Sequence, residues 1–76
     1  MNVVKNISVS MTYGRGKKTQ IKRRDMLKKM YGFEILDELI SSNLHLLLVR
    51  IDKELINSIK THPYVHDIED TPRISF

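Results

Sequence analysis

The run from Leu44 to Ile51, L-H-L-L-L-V-R-I, is apolar on both faces that a strand would present. Leu44, Leu46 and Leu48 share one face, and Leu47, Val49 and Ile51 share the other. A strand of that kind normally lies inside a sheet with cover on both sides, so the rest of the chain has to supply neighbours. It has 76 residues for the task, enough for one domain. A domain of that size buries only about 60–65% of its unfolded surface, which makes stability marginal.

The neighbours follow in order. Ile7, Val9, Met11 and Tyr13 alternate with Ser8, Ser10 and Thr12, the period of a half-buried first strand. Gly14-Arg15-Gly16 ends it in a loop. Thr19 is placed to cap a helix that runs to about Tyr31. Its apolar face holds Leu27, Met30 and Tyr31, widened by Met26, and Gly32 supplies a left-handed exit. Phe33 to Ile40 is a second strand with Asp37 and Glu38 toward solvent, and Ser41-Ser42-Asn43 is turn chemistry. After Ile51, Asp52 is placed to cap a second helix, and Glu54 suits the positive end of its dipole. Leu55, Ile56 and Ile59 give that helix an apolar stripe of about two to three turns. Lys60 falls in its last turn, Pro63 stops it, and Val65 to Asp70 resumes as a fourth strand.

Strand, helix, strand, strand, helix, strand is the order of an α+β domain, the ferredoxin-like βαββαβ sandwich. It predicts a four-stranded antiparallel sheet with two helices on one face, the first and third strands paired at its centre. Because Ile51 leads straight into the second helix, Leu47, Val49 and Ile51 belong on the helix side. Leu46 and Leu48 then lie on the open face, where a leucine pair needs a cover. Residues 1–71 make the domain. Residues 72–76 make an extended tail, since Pro72 blocks further pairing.

This succession of signals resembles the propeptide (inhibitor) domains of subtilisin-like serine proteases. The matching residues are Ile51-Asp52, Leu55 to Ile59, Pro63-Tyr64-Val65 and Ile68-Glu69-Asp70-Thr71. In the first half, Asp25-Met26-Leu27 and Gly32 look like that family's first helix and its glycine exit. The resemblance implies a proteinaceous inhibitor, in cis as a propeptide or in trans. A propeptide would also act as a chaperone-like folding template, by binding the enzyme's native-like state preferentially. It further implies an open sheet face docked on two enzyme helices, whose N-termini are capped by acids of the last strand. Glu69 falls on the first acidic position, the second carries Thr71 in place of aspartate, and Asp70 is the available substitute. The tail residues Arg73, Ile74, Ser75 and Phe76 would lie in the substrate cleft as a product-like strand, Phe76 in a large apolar pocket.

Composition narrows the other options. There is no cysteine, so neither a disulfide nor a thiolate metal cage is expected. His62 and His66 are four apart, but Pro63 between them denies the shared helical face of a two-histidine metal site; no metal and no cofactor is expected. No nucleophile elbow, phosphate-binding glycine loop or paired-carboxylate pattern occurs, so the chain does not read as an enzyme. Asn6-Ile7-Ser8 matches a glycosylation sequon inside a strand, where chance explains it best. No apolar run approaches the roughly 18 residues that span a bilayer, and no membrane partner is expected. A cytoplasmic location is expected if Met1 is the native start, and otherwise an excised segment of a secreted precursor.

The net charge of +4 is concentrated in Lys17, Lys18, Lys22, Arg23, Arg24, Lys28 and Lys29. That cluster supports an alternative, a small basic nucleic-acid-binding module acting through the first helix. No aromatic ring is expected on the open face of the two central strands to stack a base, which weighs against it. A third reading is an interaction domain that inhibits an unrelated protein through the same sheet face.

Overall fold

In the computed structural model, which describes residues 1–70, the doubly apolar run becomes an inner strand. β1 (Asn2–Val9), β2 (Glu34–Ile40), β3 (His45–Asp52) and β4 (Val65–Glu69) form one sheet in the order β2-β3-β1-β4. Every neighbouring pair is antiparallel. α1 (Lys17–Tyr31) connects β1 to β2. A 3-10 turn at Lys53–Leu55 runs into α2 (Ile56–Lys60) and connects β3 to β4. The fold is α+β, and its inner pair is β1 with β3, as the patterning predicts.

Register decides which side chains share a face. Val3 lies opposite Ile51, Lys5 opposite Val49, and Ile7 opposite both Leu47 and Ile68. Ile7, Val9, Leu47, Val49, Ile51, Val65 and Ile68 join Phe33, Leu27 of α1 and Ile59 of α2 in one buried cluster. Each such side chain contributes about 1.5–3 kcal/mol by leaving water. The Asp52 cap forms as expected, its carboxylate accepting from the Glu54 amide at 3.0 Å. Gly32 takes the left-handed conformation at φ 66, and its amide donates to the Lys28 carbonyl at 2.8 Å.

Several expectations need correction. β1 starts five residues earlier than the Ile7–Tyr13 alternation suggests and stops at Val9, so Met11 and Tyr13 are not strand residues. The Ser10 amide goes to the Tyr64 carbonyl at 2.8 Å, and a turn closed by Gly14 on Met11 at 3.2 Å follows. Tyr13 sits in that turn, fully exposed and at φ 56. Gly14 is needed there, because a Cβ would come within 2.6 Å of the Arg23 guanidinium and 2.7 Å of the Thr19 methyl. Thr19 is not a cap; α1 begins at Lys17 after Gly16, with no side-chain cap.

The buried face of α1 is Gln20, Arg23 and Leu27, while Met30 is 55% exposed and Met26 is also exposed. Polar side chains win those positions because each finds acceptors in the chain it packs against. Glu38 turns partly inward instead of toward solvent, and Leu44 stays in the turn, exposed, with β3 starting at His45. α2 is one short α turn behind a 3-10 turn rather than two to three α-helical turns. β4 ends at Glu69, one residue early.

Candidate functional site

The sheet face opposite the core cluster is the candidate site, and cross-strand register lays it out in rows. One row reads Glu69, Asn6, Leu48, Asp37 across β4, β1, β3 and β2. The next reads Asp67, Ser8, Leu46, Leu39, and Val4, Arg50 and Glu34 follow on the other side of the first. On the two inner strands Leu46, Leu48 and Val4 alternate with Ser8, Asn6 and Arg50, and both edge strands carry carboxylates. Arg50 Nη1 and Glu34 Oε1 close an ion pair at 2.7 Å, which at this exposure is worth little.

Leu46 and Leu48, the residues expected on this face, are on it. Neither belongs to the core cluster. Leu46 is nevertheless only 7% exposed, flanked by Leu39 and Ser8, while Leu48 is half-buried. The leucine-bearing surface is wider than the pair suggests, since Leu39 and Val4 are each 37% exposed.

The two acids at the end of β4 part company. Glu69 stands opposite Asn6 and so on the leucine face, exposed. Asp70 goes the other way: Lys5 Nζ donates to its Oδ1 at 2.6 Å. Lys5 lies opposite core-facing Val49, and its side chain is only 15% exposed. The hydrogen bond and charge of Lys5 hold the Asp70 carboxyl below its usual range. Asp70 is thus engaged within its own domain. Thr71, Arg73, Ile74, Ser75 and Phe76 lie outside the described residues.

A polar network that the sequence did not announce lies where α1 crosses the start of β3. His45 is buried, its Nδ1 3.0 Å from Gln20 Oε1 and its Nε2 2.6 Å from Glu38 Oε2. Glu38 Oε1 accepts from Arg24 Nη1 at 2.8 Å. The Gln20 amide nitrogen donates to the carbonyls of Ser10 and Gly14, and Arg23 Nη1 donates to Ser10 at 2.6 Å. The Arg23 guanidinium lies 4.5 Å from the Tyr64 ring centre, a cation–π contact. Burial pushes the His45 imidazole below its ordinary value; Glu38 pulls the other way and loses. The sequence signal for this network is weak, because Gln20 and Arg23 look like the solvated side of a basic helix.

Where β1 ends there is a cleft of about 590 Å3. Ser10, Thr12, Tyr13 and Arg15 of the loop after β1, Asn43 and Leu44 of the β2–β3 turn, and His66 line it. Among the described residues no group of three or more His, Asp or Glu is placed to hold a metal ion. No helix among them is long and apolar enough to cross a membrane. In comparisons with known proteins, no family model, curated protein or solved structure matches the chain.

Proposed function

We propose that this chain is a proteinaceous inhibitor of a subtilisin-like serine protease, built on a ferredoxin-like βαββαβ framework. Support for the framework comes from the element order, the inner β1–β3 pair and the capped turn that carries β3 into α2. The observation that carries the functional reading is the leucine face: Leu46, Leu48, Leu39 and Val4 lie outside the core cluster, with Glu69 at the β4 edge. The exposed apolar surface of Leu39 and Val4 gains from docking, and the acidic edge suits the amide-bearing, positive ends of helices on a partner. In this reading Glu69 caps one enzyme helix. By the same reading Arg73, Ile74, Ser75 and Phe76 occupy the substrate cleft. In a precursor the same contacts favour the folded enzyme.

The test is competitive inhibition of a subtilisin-like protease, measured for the chain and for Glu69→Ala. The expected loss is about 1–2 kcal/mol, or roughly 5- to 30-fold in the inhibition constant. Inhibition unchanged by Glu69→Ala would remove the capping role, and an absence of inhibition by the parent chain would remove the whole reading.

A further inference from the structure

The cleft at the end of β1 meets the leucine face at Ser8, and the protease reading gives no role to any residue that lines it. Its volume of about 590 Å3 falls within the roughly 300–1,000 Å3 of small-ligand sites. Among the described residues its lining contains no Asp or Glu. It does contain Arg15, His66, Ser10, Thr12 and Asn43, residues that carry hydrogen-bonding groups. A lining of that kind favours an anion with further hydrogen-bonding groups.

Tyr13 stands at the cleft with its ring fully exposed, in a left-handed backbone conformation that tyrosine seldom adopts. The loop that carries it is held firmly from behind. Gln20 donates to the carbonyls of Ser10 and Gly14, and Arg23 to Ser10. An aromatic ring presented to water on an anchored loop, at a cleft that exposed Leu44 also lines, is a ready platform for a flat base.

From Arg15 the positive surface runs out of the cleft along α1, where Lys17, Lys18 and Lys22 are exposed and the first turn holds no acid. A small anion confined to the cleft would meet one Lys or Arg, Arg15. Only a polyanion reaches the lysines as well. We infer that the cleft and the start of α1 bind single-stranded nucleic acid, one base stacking on Tyr13 while the phosphates follow Arg15, Lys17 and Lys18.

Fluorescence anisotropy with a labelled single strand of about twelve nucleotides, at about 0.15 M salt, tests the inference. The single strand should bind more tightly than a duplex of equal length. Tyr13→Ala should weaken binding about tenfold or more, and Tyr13→Phe should restore it. Arg15→Ala should lower the salt slope by about one. Circular dichroism confirms the fold of each variant, all three being changes at exposed loop positions. Equal affinity for duplex, indifference to Tyr13→Ala, or no binding at this salt would each overturn the assignment. ATP saturating the site with no preference for the strand would also overturn it, in favour of a free nucleotide; an acidic peptide binding as tightly would reduce it to charge attraction.

Discussion

On one side of the sheet Ile7, Leu47 and Val49 are wholly buried beneath Leu27 and Ile59. On the other, β3 and β2 present Leu46, Leu48 and Leu39, which range from 7% exposed at Leu46 to 37% at Leu39 and lie outside the core cluster. β3 is apolar on both faces, so its composition does not choose the covered side. The choice is made at its end, where Asp52 caps the turn that swings Ile59 over Ile51 and its neighbours. The lesson is that the exit of a strand, more than its hydrophobicity, decides which face becomes core. The other face is left with apolar surface to offer.

The contrast can be broken by substitution. Leu47→Ala removes a fully buried side chain and should cost about 2–5 kcal/mol of stability. Leu39→Ala, on the opposite face, should change stability by about 0.5 kcal/mol or less. Chemical denaturation of the two variants checks this, and equal losses would mean that both faces are core.

A smaller effect sharpens the covered side. His45 has its folded-state pKa lowered from 6.5 by burial, so the unfolded chain takes up its proton first as pH falls. The stability that a lowered folded-state pKa contributes is present above about pH 6.5 and is lost as pH drops toward the folded value. Thermal melts at about pH 7.5 and about pH 5.5 should show a larger drop for the parent chain than for His45→Gln. The same drop in both would place the pH sensitivity elsewhere.

Much of this was legible from residue types. Ile7 and Val9, the alternating faces of β3, the Asp52 cap and the Gly32 exit each carry a local rule that packing then obeys. What escaped was polar. Gln20 and Arg23 belong to the buried face of α1 because carbonyls of the preceding loop meet them, and no periodicity of apolar residues marks that. Lys5 reaches Asp70 from far along the chain, and Glu38 meets His45 across the β2–β3 hairpin. Tyr13 continued an alternation on paper, but a turn closed by Gly14 takes it out of the strand. Of the candidate site, alternation put Leu46 and Leu48 on one face, and the lead from Ile51 into the second helix marked that face as the open one. Glu69 rested on the family resemblance. The separation of Glu69 from Asp70 was not legible, since it depends on Lys5.

The central claim is that the leucine face docks on a protease while the end of the chain enters its cleft. It is tested most directly by the inhibition constant of the complete chain against that of a chain lacking Ile74, Ser75 and Phe76. The account predicts that the complete chain inhibits a subtilisin-like protease competitively and that the shortened chain, equally folded, does not. Equal inhibition constants for the two would contradict it.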